Sequence, residues 1–328
     1  MKTKAMRVHE AGGPEVMQFE EVEISSPGKG EALIRHTAIG VNLIDVYHRT
    51  ATGGQYALPR PTTLGVEAVG VVEELGPDVD SLKVGDRVAY WMLPGAYAQK
   101  RLAPAWRLVK IPDGVADEDV AAVILKGVTA NYLLHDIWKT KSGDTILLHA
   151  AAGGVGQIMS QWAAKIGATV IGTVDSAEKA GAAKAAGCSH VIVMDDQDFE
   201  TDVKKLTDGK GVDVVYDLIG GDVFEKSLNV IRPLGMIVGV GQAAGPVPPL
   251  DISKLAQKGS IFLSKPTLAT FTANRETIER LANGVFGVLK DGTITAKIGR
   301  SAPLENAQDI HRALEAKQTT GSTVLLPQ

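Results

Sequence analysis

The chain has 328 residues, 45% of them hydrophobic and 22% charged, a balance that fits a packed globular protein and excludes a disordered or collagen-like one. A single hydrophobic core stops growing at roughly 250–300 residues, so two domains with a cleft are expected. Thirty-four basic against 38 acidic side chains give a net charge of −4, and no dense Lys/Arg run supplies the electrostatic footprint of a nucleic-acid binder, which leaves small molecules as the favoured partners.

From Met1 to about residue 122 apolar residues alternate and turn signals are frequent (AGGPE, SSPGKGE, ELGPDVDSLKVGDRV), which predicts short strands. The start, MKTKAMRVHEAGG, has no apolar signal-peptide core, and every long apolar run is interrupted by Gly, Lys, Asp or Pro. No membrane insertion is expected. The lone cysteine, Cys188, cannot form an internal disulfide, and a cytoplasmic location is expected.

After Gly143 the pattern changes to apolar runs alternating with helical stretches, the signal of βαβ units and a parallel sheet. Thr145–His149 reads as a buried strand; Val155, Ile158, Met159, Trp162, Ala163 and Ile166 then recur at helical spacing up to Gly167, a natural helix stop. The unit repeats with a strand at Thr169–Val174, a helix at Ser176–Ala186 and a terminating Gly187. Further strands are expected at Val191–Val193, Val212–Leu218, Met236–Val240 and Ile261–Ser264, with helices near Phe199–Thr207, Val223–Val230 and Ile252–Lys258. Six strands with intervening helices predict a doubly wound sheet. Near the C-terminus Leu304, Ala307, Ile310 and Leu314 line one helix face, and TVLLP (Thr323–Pro327) reads as a final strand returning to the first domain.

The stretch HAAAGGVG, His149–Gly156, lies between a strand and an amphipathic helix. That context turns a glycine-rich string into a dinucleotide-binding hypothesis. Unpaired amides and the helix dipole favour a pyrophosphate there, and the small residues Ala152, Gly153, Gly154, Val155 and Gly156 let it approach. Relative to G-x-G-x-x-G the first glycine is Ala151. The competing reading, a tight βα turn and nothing more, is the weaker one in this strand–helix–strand setting.

With these residues in hand the chain resembles the quinone oxidoreductases, the ζ-crystallin-like branch of the medium-chain dehydrogenases/reductases. The resemblance runs nearly end to end through GGPEV (Gly12–Val16), AIGVNLIDVYHR (Ala38–Arg49), GVEAVGVVEELG (Gly65–Gly76), VGDRVAY (Val84–Tyr90), LKGVTANYLL (Leu125–Leu134), HAAAGGVGQ, QKGSIFLSKP (Gln257–Pro266) and TTGSTVLLP (Thr319–Pro327). It implies an α/β protein with a GroES-like β-barrel catalytic domain, residues 1–124 and 266–328, around a Rossmann domain, residues 125–265, and a homodimer. The exposed-edge character of Ser260–Ser264 points to the same assembly. Catalytic zinc in related alcohol dehydrogenases needs Cys and His ligands. By resemblance Asn42 stands at a ligand cysteine's place and Val66, before Glu67, at a ligand histidine's, so no metal is expected.

The resemblance places Asn42, Asp45 and Tyr47 at the mouth of the cofactor cleft. Asn42 and Tyr47 have donors for an acceptor oxygen, and Asp45 orients its neighbours; capping of a short helix by Asn42 and Asp45 is an equally open reading from the residues alone. Arg49 and Tyr56 are assigned to the outer cleft, and His36, His48 and His149 are given no proton-transfer role. For the cofactor, Asp175 lies 22 residues beyond Gly153, near the acid that an NAD-type fold commonly places about 20 residues on, but by the resemblance one position later, where relatives usually have glycine. Against it, Ser176 and Lys179 match the family's 2′-phosphate contacts, Lys317 replaces its arginine, and Met194 stands where an aromatic residue often flanks the adenosine phosphate. The same resemblance adds Thr129, Gly241 and Gln242 to the cofactor site. The expectation is NADPH, with NADH possible, reducing a quinone. An enone, alkenal or enoyl thioester is the alternative acceptor, and a ζ-crystallin-like structural or RNA-binding role the alternative of another class.

Overall fold

The computed structural model describes residues 1–327. Two compact units are formed, one by Met1–Val128 with the chain from Thr272 onward, the other by Thr129–Phe271. These divisions stand a few residues beyond the expected 124/125 and 265/266. The first unit opens with strands β1 (Lys2–Val8), β2 (Met17–Glu23) and β3 (Glu31–Val41), helix α1 (Leu43–Thr50), and strands β4 (Thr62–Thr63), β5 (Glu67–Leu75), β6 (Arg87–Tyr90), β7 (Lys100–Pro104) and β8 (Val109–Lys110), and α2 (Asp117–Tyr132) leads out of it. The second holds β9 (Thr145–Leu148), α3 (Gly154–Ile166), β10 (Thr169–Val174), α4 (Ala177–Ala185), β11 (His190–Val193), α5 (Phe199–Leu206), β12 (Val212–Asp217), α6 (Asp222–Ser227), β13 (Ile231–Gly239), α7 (Ser253–Gln257), β14 (Phe262–Ser264) and α8 (Leu268–Phe271). The chain then returns to the first unit as α9 (Arg275–Lys290), β15 (Ile298–Pro303), α10 (Ala307–Glu315) and β16 (Ser322–Leu326).

In the first unit β1 lies between β2 and β4, and a second sheet runs β15-β16-β3-β5-β6-β8 with β7 also on β3. Strand β3 is the hub because its length lets it pair with β7 through Glu31–Arg35 and with β16 at its far end. The C-terminal strand thus closes on the first domain, with Leu325 opposite Ile39. Ile34, Ile39, Leu64, Tyr90, Leu108, Ile310 and Leu325 fill the core between these layers.

The second unit is a parallel sheet in the order β11-β10-β9-β12-β13-β14. Its central strands are nearly continuous apolar runs, as strands covered on both faces must be; Ile146, Leu147, Val170, Ile171, Val214 and Val215 are all buried. The order reverses between β9 and β12, so a crevice opens at their carboxyl ends, where open α/β sheets bind ligands.

Three expectations need correction. The strand pattern does not persist to residue 122, because α2 begins at Asp117 with the acidic first turn Asp117, Glu118, Asp119, which favours a helix N-terminus. The stretch Asp117–Ile137 is long and apolar enough to cross a membrane by composition, although none was expected; it is mostly buried inside the protein and is a core helix. Helix α9, whose Ile278, Leu281, Ala282, Val285 and Phe286 face the core, was not foreseen.

Candidate active site

Strand β9 delivers the chain to the turn Ala150–Gly153. Ala150 has a left-handed backbone, φ 53°, a conformation that costs an alanine about 1–2 kcal/mol, and its carbonyl accepts the Gly153 N–H at 3.0 Å. Gly153 caps α3, whose first turn cannot satisfy its own N–H groups. The two motif glycines meet different demands. A Cβ on Gly156 would stand 2.4 Å from the Ala150 oxygen and 2.8 Å from the Ala151 Cα, whereas one on Gly153 would meet only the Ala150 oxygen, at 3.2 Å. Gly153 is exposed, so the space over it is open to an anion. Ala151, at the first glycine's place, is accommodated by Gly172 on β10, where a Cβ would lie 2.7 Å from the Ala151 methyl. These residues fit a dinucleotide's phosphates at the sheet's switch point.

The remaining cofactor candidates of this unit, except Thr129 on α2, follow the carboxyl ends of neighbouring strands. Asp175 and Ser176 follow β10, Met194 follows β11 and donates its N–H to the Val174 carbonyl at 2.8 Å, and Gly241 and Gln242 follow β13. Asp175 and Lys179, rivals in the sequence, are bound to each other: Nζ of Lys179 donates to Oδ2 of Asp175 at 2.6 Å. Partial burial pushes the Asp175 carboxyl up, but the Lys179 hydrogen bond and charge outweigh it and the group is held below its usual range. Lys317 is exposed, with φ 57°, and belongs to the other unit. Sequence reasoning passed over Asp217 at the end of β12. It is wholly buried, and its Oδ1 accepts the N–H groups of Ile219 at 2.8 Å and Gly220 at 3.0 Å, shaping the loop beside Gly241.

The acceptor-side candidates all lie on or at the start of α1. Asn42 precedes the helix in extended conformation. Its backbone N–H donates to Oδ2 of Asp45 at 2.9 Å, and its side-chain Nδ2 donates to Oε1 of Glu67 at 2.6 Å. One amide hydrogen is therefore already engaged. Asp45 is completely buried and so supports its neighbours, capping α1 from within. Its Oδ2 also accepts the Tyr97 hydroxyl at 3.0 Å, while Oδ1 is buried without a partner among the described residues. Burial raises this carboxyl to about 7. Tyr47 is half-buried, its ring 5.1 Å from that of Tyr56 at 46°, and burial followed by the neighbouring Tyr56 raises its hydroxyl.

Arg49 is not at the outer cleft. It is wholly buried, donating Nε to the Gly12 carbonyl at 3.0 Å, Nη1 to Nδ1 of His311 at 3.0 Å and Nη2 to Glu315 at 2.6 Å. Because a guanidinium only donates, Nδ1 of His311 is an acceptor and its Nε2–H faces the Tyr97 hydroxyl at 3.2 Å. A donor chain thus runs Arg49, His311, Tyr97, Asp45, fixing α1 against α10. None of its long-range partners carries a local sequence signal. His36 and His149 are buried and hydrogen-bonded on both nitrogens, to Ala98 and Tyr90 and to Thr173 and Ser227, as structural histidines are.

Among the described residues no group of three or more His, Cys, Asp or Glu side chains is placed to hold a metal ion.

Residues 28–113 match the alcohol dehydrogenase GroES-like domain family and residues 154–283 the zinc-binding dehydrogenase family. The chain is 45% identical to a 2-haloacrylate reductase of Burkholderia sp, covering 98% of each, and 43% identical to a quinone oxidoreductase of Pseudomonas aeruginosa, covering 96% of this chain and 97% of that one. The crystal structure of Escherichia coli quinone oxidoreductase complexed with NADPH superposes with a TM-score of 0.93 at 37% identity, over 99% of this chain and all of the other.

Proposed function

Since this chain belongs to the quinone oxidoreductase family of the medium-chain dehydrogenases/reductases, we propose that it is an NADPH-dependent reductase of quinones that works without a metal. The observation that carries this reading is the open, strained turn Ala150–Gly156 at the switch point of the parallel sheet. The bound nicotinamide would supply the hydride. Gly153 leaves room for the phosphates and the first turn of α3 gives its N–H groups to them. Ser176 and Lys179 serve the 2′-phosphate, and Thr129, Met194, Gly241 and Gln242 complete the nucleotide contacts. On the acceptor side the remaining Asn42 N–H and the Tyr47 hydroxyl donate to the oxygen that gains charge, and the paired rings of Tyr47 and Tyr56 offer aromatic faces to a flat substrate.

A second reading, reduction of an activated C=C bond, draws on the similarity to a 2-haloacrylate reductase and on the same donor arrangement. Steady-state turnover with NADPH or NADH against benzoquinone, naphthoquinone, phenanthrenequinone, an enone and 2-chloroacrylate tests both. The expected result is NADPH-supported turnover highest on a quinone. Turnover confined to the alkenes would transfer the assignment to the second reading, and turnover of none would reject both.

A further inference from the structure

Glu67 is the first residue of β5 and is fully buried, a place a carboxylate takes only when it is paired. Its place was prepared by the opposite strand: Gly40 of β3 pairs with Glu67 in register, and a Cβ on Gly40 would stand 2.2 Å from Oε1 of Glu67. Three donors converge on the carboxylate. Oε1 accepts Nδ2 of Asn42 at 2.6 Å and Nζ of Lys126 at 3.3 Å, and Oε2 accepts the Leu125 N–H at 2.8 Å. Lys126 is itself buried. A buried ion pair is weak as a source of stability, because well-packed apolar residues would serve as well. The shortest of the three bonds to the carboxylate goes to Asn42.

We propose that Glu67, backed by Lys126, is a positioning residue for reduction: it fixes the rotamer and amide orientation of Asn42 toward the acceptor. This rests on the reading of Asn42 as an acceptor-side donor. A carboxylate only accepts, so Nδ2 must face Glu67, and the amide cannot turn over without bringing Oδ1 against Oε1. Asp45 holds the Asn42 backbone from the other side. The Asn42 side chain also faces the Asp45 backbone N–H in a reciprocal capping box, so the amide is left with one orientation and its second N–H is the group that remains for the acceptor.

Glu67→Gln is isosteric, but an amide faces Asn42 and Lys126, or Leu125, with a donor whichever way it is turned. Asn42 then loses the charged acceptor that fixed it, and loses its partner altogether where the new amide turns its nitrogen inward. The expected result is a fall in quinone kcat on the order of 10- to 100-fold, as for a misplaced reacting group, with the NADPH KM and the fluorescence-derived Kd within about twofold. Introduced into Asn42→Ala, the same change should cost no further activity, because Glu67 acts through Asn42. Should Glu67→Gln fail to fold, Glu67→Gln with Lys126→Met removes the stranded charge and is expected to fold with the same low kcat. Wild-type kcat in either folded variant, or additive losses in the Asn42→Ala background, overturns the proposal. A normal quinone kcat in Asn42→Ala alone instead overturns the acceptor-side reading on which it rests.

Discussion

Gly153 and Gly156 occupy neighbouring places in one motif, yet the physical reason for glycine differs. At Gly156 a methyl would collide with backbone atoms that cannot move aside, so Gly156→Ala should destabilise the protein by about 1–3 kcal/mol, the usual cost of overpacking, read as a lower urea midpoint. At Gly153 a Cβ would meet a single backbone atom, the Ala150 oxygen at 3.2 Å, and Gly153→Val should still fold while losing nucleotide affinity at least about tenfold, because the side chain takes the pyrophosphate's place. Titration of the intrinsic fluorescence of the four tryptophans measures it, and unchanged affinity in the folded variant would refute the phosphate-turn assignment. The pairing of Asp175 with Lys179 sharpens the cofactor question. A 2′-phosphate must compete with Asp175 for the ammonium, so Asp175→Gly should lower the NADPH KM several-fold, and Lys179→Ala should raise it while leaving the NADH KM within about twofold, since a lysine neutralises phosphate as a point charge. Equal effects on both cofactors would show that Asp175 governs a ribose hydroxyl instead.

At the scale of elements, β14 is the edge of the parallel sheet and leaves Phe262 54% and Leu263 43% exposed. Apolar side chains on both faces of a bare edge strand invite pairing with a second copy. Wild-type protein should sediment as a dimer at micromolar concentration and Phe262→Lys as a monomer; a monomeric wild type would refute this. The parallel strands were legible from sequence because burial on both faces makes them unbroken apolar runs, and α3 because its apolar residues keep helical spacing up to Gly167, which is left-handed at φ 98°. The α9 pattern, with Asn274 accepting the Thr277 N–H as its cap, was equally available and was missed because its first turn follows the turn-like residues TFTAN. What could not be read was the set of partners around α1. Glu67 reaches Asn42 across 25 residues, Tyr97 reaches Asp45 across 52 and His311 reaches Arg49 across 262; only the folded sheet brings them together. Sequence therefore named Asn42 and Asp45 without their supports, and it set Arg49 at the outer cleft because the partners that hold it in the interior, Gly12, His311 and Glu315, are distant in the chain.

Across the whole molecule, three histidines are held neutral in the interior. Burial lowers His36 and His149 to about 3, and burial followed by the Arg49 charge lowers His311 to about 3. In the unfolded chain each titrates near 6.5. Between these values the unfolded state binds up to three more protons than the folded one, so stability falls as pH drops below about 6.5. Asp45 and Asp217 act in the opposite sense, because burial raises both carboxyls and each keeps a proton in the folded state to a higher pH than its unfolded value; their stabilisation is present at low pH and is lost as pH rises, for Asp45 through about 7. Three protons against at most two leave the unfolded state binding more from about pH 6 downward, and the excess reaches about one proton's worth, about 1.4 kcal/mol per pH unit, between about pH 5 and pH 4.5. The units should share this loss, since His36 and His311 lie in the first and His149 in the second. His149→Asn removes one titrating group and should flatten the slope by about 1.4 kcal/mol per pH unit, whereas Asp45→Asn removes an opposing one and should steepen it by a similar amount over the same range. Urea midpoints for wild type and the two variants at half-unit intervals from pH 4.5 to 7 decide the matter. A flat wild-type profile, or slopes that move the other way in the variants, would mean that these buried groups take up or release their protons without unfolding.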